Sequence, residues 1–166
     1  SQVGALTTAQ VVALRTDEVQ SLSVTQVSAL STAGVSNLTT SQMVALTSAQ
    51  IGALSSLQTQ ALTSAQMQAI ETSDIGGFKT SQVAVLTSAQ VVVMSTEQVS
   101  VLTADHVAAL QTGVIGALRT AQVVALNTAQ VSNMSTAQVA VLTSVQMAVL
   151  ETVDLAVLGT AQVRAI

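Results

Sequence analysis

The chain has 166 residues, a formal net charge of −4, and neither cysteine nor proline. Apolar residues make up 49% of it, whereas only 7% are charged and Phe78 is the single aromatic residue. The apolar fraction argues against intrinsic disorder, and the excess of acids over bases argues against nucleic-acid binding. Without cysteine, disulfides and thiolate zinc sites are excluded. Because Thr, Ser and Gln interrupt every apolar stretch, we expect no membrane insertion.

A large apolar residue recurs every eight residues along the whole chain. The series begins at Leu6, Leu14 and Leu22 and continues to Ile166 without an insertion or a deletion. With this residue as position eight, the consensus octad reads Thr-Thr-Ala-Gln-Val-x-Ala-Leu, as in residues 7–14. No linker or change of composition interrupts the series, so we predict that residues 1–166 form a single repeat domain. The first residue, Ser1, falls at position three of an octad, and we expect the chain to be a fragment of a longer array.

A weaker period of 40 residues lies on top of the octads. Position four is Gln in 14 of the 20 octads that begin at Thr7 or later. Four of the six exceptions, Gly34, Asp74, Val114 and Asp154, are 40 residues apart. This superperiod predicts a superhelix that returns to register every five octads, either as one turn of five elements or as two turns of two and a half.

The apolar pattern favours short helices over one long helix and over strands. In a continuous helix, eight residues overshoot two turns by about 80°, so the leucines would spiral around the rod. In a strand, positions five and eight would point to opposite faces, yet position five is apolar in every octad except at Thr59 and position eight is apolar in all. In a helix these two positions are neighbours on one face.

The polar residues of the octad predict where each helix begins. Position two is Thr or Ser in 18 of 20 octads, and we favour it as the N-cap because it is the more uniform hydroxyl. The alternative is a Ser/Thr-x-x-Gln capping box that begins at position one. Six of the eight acidic residues lie at positions three and four, in the proposed first turn, where the helix dipole favours anions.

We therefore predict an all-α solenoid of about twenty very short helices, one for each octad in chain order. Positions five and eight should form the core, positions three and seven a small-residue stripe against the next helix, and position six the most exposed row. The octad from Ser55 to Leu62 departs from the pattern, with Leu57 at position three and Thr59 at position five, so we expect the weakest packing there. Such helices are too short to form alone and must be stabilised by their neighbours.

The polar residues do not predict a catalytic, cofactor-binding or metal site. The Gln row is best interpreted as structural, either bonding backbone groups at the bends or forming a ladder with Gln of adjacent coils. His106, beside Asp105, is the only histidine, and a metal site needs several converging ligands. Asp74 and Asp154 are ten octads apart, too far for paired carboxylate chemistry. Ser, His and Asp are all present, but serine is so common here that a catalytic triad has no specific signal.

Three further interpretations stay open at this stage. Glu71 and Lys79 occupy position one of successive octads and could form a surface ion pair of small energetic value. The rows of Thr could display hydroxyls to ice or to carbohydrate, although capping would occupy them. A Gln-, Ser- and Thr-rich amyloid-like element is the third interpretation. The strict octads argue against it, because their apolar positions do not alternate as those of a strand with one buried face would.

Octads such as Leu-Thr-Ser-Ala-Gln-Val-Val-Val, with the interspersed Ile-Glu-Thr-x-Asp-Ile variant, resemble a known kind of array. They are similar to the LTTAQVAA-type octapeptide repeats of very large bacterial surface or secreted proteins described as adhesin-like. The resemblance covers the whole chain and implies an extracellular stalk or spacer, exported from a Gram-negative cell as part of a larger protein, with no enzymatic activity. The alternative is a repetitive surface that binds glycan, protein or ice. An array cut at its ends exposes apolar faces, which favours end-to-end self-association.

Overall fold

The structure is a computed structural model that describes residues 2–166. A 3-10 helix, Gln2–Ala5, precedes twenty α-helices of four to six residues, one for each octad, and no strand occurs among the described residues. The helices are α1 (Thr8–Ala13), α2 (Thr16–Ser21), α3 (Val24–Ser28), α4 (Thr32–Ser36), α5 (Thr40–Val44), α6 (Ser48–Ala53), α7 (Ser56–Gln60), α8 (Ser64–Ala69), α9 (Thr72–Ile75), α10 (Thr80–Val83), α11 (Ser88–Val92), α12 (Thr96–Ser100), α13 (Ala104–Ala109), α14 (Thr112–Ala117), α15 (Thr120–Val124), α16 (Thr128–Ser132), α17 (Thr136–Ala140), α18 (Ser144–Val149), α19 (Thr152–Ala156) and α20 (Thr160–Val163). The prediction of an all-α solenoid is confirmed.

Position one is the N-cap of all twenty α-helices, so the preference for position two was wrong. The capping box forms in most octads, but not in those of Gly34, Asp74, Val114 and Asp154. In α1 the hydroxyl of Thr7 accepts the backbone N–H of Gln10, and the Gln10 side chain accepts the backbone N–H of Thr7. Position two is the first helical residue of all twenty α-helices. The position-four Gln decides between the two positions, because the third helical residue is the one that reaches back to the cap.

The bends between helices use extended backbone and need no special residue. Leu14, which closes α1, has φ −62° and ψ 136°, and Arg15, which precedes α2, has φ −75° and ψ 159°. None of residues 2–166 has a positive φ, glycines included. Two successive extended residues turn the chain between helices, which explains how Leu and Thr suffice at the junctions.

The coil contains between three and four octads per turn. Each helix packs against the helix three octads further on, and one such column runs through α1, α4, α7, α10, α13, α16 and α19. The side-chain amides of position-four glutamines donate to carbonyls in the octad four before their own, as in Gln66 to Leu38. The predicted return to register after five octads is therefore wrong. The 40-residue period describes which side chain stands at position four, whereas the junction dihedral angles determine the rotation of the coil.

Positions five and eight form the continuous core that the pattern predicts. Val11, Ile51 and Ile115 at position five are fully buried, and every position-eight residue from Leu30 to Met134 is buried. The expectation of weak packing between Ser55 and Leu62 is not met at position five. Thr59 is fully buried, its hydroxyl donates to the Ser55 carbonyl, and it accepts from Gln82. A buried hydroxyl with partners on both sides replaces valine without an unpaired polar group.

The exposed rows differ from the prediction at two positions. Position three is exposed in every octad of residues 7–166, so it forms no packing stripe, and Leu57 is simply a solvent-exposed side chain at 69%. Position six is not uniformly exposed, since Gly52 is buried and Ala108 half-buried. The reason is that the helix three octads further on packs against the side of the helix that carries position six, as it does at Gly52. None of the helices in residues 2–166 has the length and apolar character needed to cross a bilayer.

Candidate functional site

The glutamine row is the most regular polar feature, and its amide oxygens cap the helices. Twelve glutamines of this row, here called the interior glutamines, each accept the backbone N–H of position one in their own octad at 2.6–3.0 Å. All twelve are buried. They are Gln42, Gln50, Gln58, Gln66, Gln82, Gln90, Gln98, Gln122, Gln130, Gln138, Gln146 and Gln162.

The amide nitrogens of the interior glutamines join successive turns of the coil. Each Nε2 donates to the position-eight carbonyl of the octad four before it, 28 residues back, at 2.6–2.9 Å. All but Gln162 also donate to the position-five carbonyl of that octad. Of the two structural interpretations, bonding to backbone groups is confirmed and a Gln–Gln ladder is wrong. One side chain thus satisfies three backbone groups in two turns.

The octads of the 40-residue period lack this link. The carboxylate of Asp74 accepts instead from the hydroxyl of Ser48 at 2.5 Å. Asp154 is buried, and this burial, together with the nearby Glu151 carboxylate, raises the pKa of its side chain. In the octad of Val114, Gln111 replaces part of the missing link between turns, because its Nε2 donates to the Ala84 carbonyl, 27 residues back, at 3.1 Å. Asp74 and Asp154 stay in separate turns with separate partners.

The charged residues singled out from the sequence lie apart. Glu71 and Lys79 do not form the suggested ion pair. Within the described residues the ion pairs join Arg15 to Asp17 at 3.1 Å and to Glu18 at 3.6 Å. His106 is buried beside the exposed Asp105, whose carboxylate accepts from Asn133 at 3.1 Å. In residues 2–166, no three His, Asp or Glu side chains converge as metal ligands would.

A row of serine hydroxyls, which sequence reasoning missed, joins the coils on their outer side. Ser56, Ser64 and Ser88 at position two donate to position-three carbonyls 25 residues further on, at 3.1–3.2 Å. At position one, hydroxyls such as that of Thr47 accept the helix N–H instead. The sequence feature that could have indicated these bonds is the presence of Ser instead of Thr at position two. These hydroxyls bond to the protein itself, which weakens the interpretation of a hydroxyl-displaying face.

Two glycines bring one pair of coils unusually close and leave a groove beside them. A Cβ atom on Gly52 would lie 2.5 Å from the Gly77 carbonyl oxygen, and one on Gly77 would lie 2.3 Å from that of Ser48. An open groove of about 510 Å³ lies along this contact, with an apolar lining that carries one charged group. Close packing of backbone on backbone accounts for both glycines. The lining residues are Val24, Ser48, Ala49, Gly52, Ala53, Gly77 and Lys79.

Comparison with known proteins identifies the repeat. The sequence model of the ALTTAQ repeat matches residues 25–56, 67–104, 86–112, 107–144 and 115–152, which together cover well over half of the chain. No curated protein and no solved structure matches the chain. On the strength of this match and of the octads that carry it, the chain belongs to the ALTTAQ repeat family.

Proposed function

We propose that this segment is a stiff extracellular spacer in a large bacterial surface or secreted protein, and that it carries no enzymatic activity. The observation that supports stiffness is the set of interior glutamines. Each joins one turn to the turn before it by buried hydrogen bonds. Bending or stretching the coil would separate these partners, and leaving a buried polar group unpaired costs roughly 1–3 kcal/mol.

A solenoid of this kind gains length in proportion to its repeat number. Packed helices lie about 8–10 Å apart, and seven helices succeed one another in the column from α1 to α19. The axis therefore spans roughly 50 Å, and each additional three octads add about 9 Å. The spacer proposal thus suits a protein that contains many such octads in series.

The alternative, a repetitive binding surface, would need repeating chemistry on the exposed rows. Position three is exposed in every octad of residues 7–166, yet it holds Ala9, Asp17, Leu57 and Val145 in different octads. A periodic ligand would meet no periodic set of side chains along this row. This variety favours spacing over binding.

Small-angle scattering on this chain and on a tandem of two copies tests the rod. Because the chain begins at position three and ends at position eight, a Thr-Thr junction keeps the octads in register. We expect the radius of gyration to rise close to twofold, whereas a compact globule would rise only about 1.3-fold. The matched control is a tandem with a flexible, out-of-register Gly-Ser junction, which should scatter as two jointed rods. A rise near 1.3-fold for the in-register tandem would contradict the proposal.

A second experiment separates spacing from binding in the parent protein. Cells with a shortened array should lose adhesion, and an unrelated rod of equal length should restore it. If only octads of this family restore adhesion, the array binds a partner and the spacer role is wrong.

A further inference from the structure

His106 replaces Gln at position four and takes over both parts of its role. The backbone N–H of Thr103 donates to Nδ1 of the imidazole at 3.3 Å, and the Thr103 hydroxyl accepts the backbone N–H of His106 at 3.1 Å. The backbone of Phe78, 28 residues back, is a further hydrogen-bonding neighbour of the imidazole and favours its charged form. His106 is only 5% exposed. The imidazole is therefore held between two backbone groups of adjacent turns, like the interior glutamines.

This arrangement specifies one protonation state of the ring. Nδ1 must be a bare acceptor because the backbone N–H of Thr103 points at it, so the ring hydrogen lies on Nε2. A second proton on Nδ1 would place two N–H groups against each other and remove the acceptor from the cap of α13. No glutamine of the row can change in this way, since an amide does not titrate at physiological pH.

We propose that His106 makes the contact between α13 and the octad Glu71–Phe78 an acid-sensitive joint within the coil. That octad is joined to its neighbours by ionisable groups on both sides. In the octad Glu71–Phe78, Asp74 occupies position four, from which a Gln would donate to the Leu46 carbonyl; it bonds to Ser48 instead. In the octad four further on, His106 occupies position four, from which a Gln would donate to the Phe78 carbonyl. An octad bonded through two interior glutamines has no equivalent response to acid.

The surroundings of the ring support loss of the contact at low pH. Burial lowers the pKa of His106, and the Phe78 carbonyl and the Asp105 carboxylate oppose that effect only in part. Of the elements against α13, α10 begins beside Lys79 and the octad of Phe78 carries Glu71 and Asp74, whereas α16 and α17 carry no charged residue.

The sign of the pH effect follows from this depression. The unfolded chain takes up the proton at the ordinary imidazole pKa of about 6.5 and the folded chain only at a lower pH. The joint therefore contributes its full stability above the ordinary value. It loses that stability as the pH falls towards the folded value.

The chain offers a clean test because it has a single histidine. Urea unfolding, followed by circular dichroism from about pH 7.5 to about pH 5, is compared between the parent chain and His106→Gln. The substitution restores the amide of the row, so it should fold at least as well and retain every other titrating group. We expect the unfolding midpoint of the parent to fall relative to that of His106→Gln as the pH is lowered across this range, and the difference to correspond to uptake of at most one proton.

A local measurement keeps the proposal testable independently of the variant. Nuclear magnetic resonance titration of the parent should show the Nε2–H tautomer and a His106 pKa below its ordinary value. Amide exchange at Thr103 should accelerate on acidification relative to Ser95, whose N–H is bonded to Gln98 at 2.8 Å. An ordinary or raised pKa, an Nδ1–H tautomer, or equal pH dependence in the parent and His106→Gln would overturn the proposal.

Discussion

Gln10 and Gln66 occupy the same position of the octad but differ in what precedes them in the coil. Both lie three residues after a threonine N-cap and accept its backbone N–H, at 2.9 Å for Gln10 and 2.8 Å for Gln66. Gln10 is exposed, and within residues 2–166 its side chain bonds only to Thr7 of its own octad. Gln66 is buried and donates to the Val35 and Leu38 carbonyls at 2.8 and 2.7 Å. Capping is thus a local property of the octad, whereas joining turns requires an earlier coil beneath it.

Glu18 shows that a carboxylate can cap a helix of this coil. Its side chain accepts the backbone N–H of Arg15 at 2.8 Å, as a Gln oxygen would. No other octad has Glu at position four. A carboxylate can cap a helix but has no hydrogen to donate to the turn before it.

The largest effect should come from Gln66→Glu. A buried carboxylate would then face two carbonyl oxygens, and we expect a loss of about 3–5 kcal/mol in the free energy of unfolding at neutral pH. Because burial raises the pKa of such a group, part of the loss should return on acidification, when the protonated acid again has a hydrogen to donate. The matched control is Gln10→Glu, which should change stability little. Urea unfolding at neutral and acidic pH measures both, and equal losses in the two variants would contradict the comparison.

Truncation should separate the two octads by a smaller amount. Gln66→Ala leaves the Thr63 N–H and the Leu38 carbonyl without their partner, and we expect a loss of about 2–3 kcal/mol. Gln10→Ala removes only the cap contact and should cost less than about 1 kcal/mol. The same denaturation measurement serves for both. If Gln10→Ala cost as much as Gln66→Ala, the turn-joining bonds would contribute nothing to stability.

The contribution of the threonine cap to stability should be the same in an early octad and in an interior one. The hydroxyl of Thr63 accepts the Gln66 N–H at 3.2 Å, and that of Thr7 accepts the Gln10 N–H at 3.3 Å. Thr63→Ala and Thr7→Ala should therefore each cost about 1 kcal/mol. Thermal unfolding of the two variants beside the parent checks this, and a clearly larger cost at Thr63 would show that the cap depends on stacking.

Asp154 provides the reverse experiment, in which the missing amide is restored. Asp154→Gln should stabilise the chain at neutral pH by roughly 1 kcal/mol or less, because it removes a buried carboxylate and supplies a donor for the Leu126 carbonyl. Asp154→Asn is the control, because it removes the charge but does not lengthen the side chain towards the Leu126 carbonyl. The raised pKa of Asp154 means that its contribution to stability is present below the ordinary carboxyl pKa and lost as the pH rises through the folded value. The advantage of Asp154→Gln should therefore grow from acidic to neutral pH in urea unfolding, and a constant difference would contradict this.

Much of the fold could be predicted because the octad has a strict period. The two apolar positions, occupied by Val11 and Leu14 in the first octad, can share one face on a helix but not on a strand, so the sequence alone excludes strands. The cap was misassigned to position two because Thr8 and Thr7 are chemically equivalent in sequence. Only the reciprocal bond from Gln10 distinguishes them.

Features that depend on neighbouring turns could not be predicted in the same way. The partners of Gln66 lie 28 and 31 residues back, and this spacing follows from the number of octads per turn, which the sequence left open. The close contact of Gly52 with Gly77 and the bonds of the position-two serines depend on the same number. The sequence indicates that His106 substitutes for Gln at position four, but the backbone groups that it meets in the earlier turn depend on the same number.

The sequence by itself determined that each octad forms one short, capped helix with Val and Leu on its inner side, since these features depend on residues within eight positions. Tertiary structure alone decided the pitch of the coil, and with it which carbonyls each glutamine meets and which side chains become buried. The physical reason is that the rotation per octad is the sum of small dihedral choices at two extended junction residues, Leu at position eight and Thr or Ser at position one. These residues tolerate a range of such angles, and the packing of stacked turns selects among them.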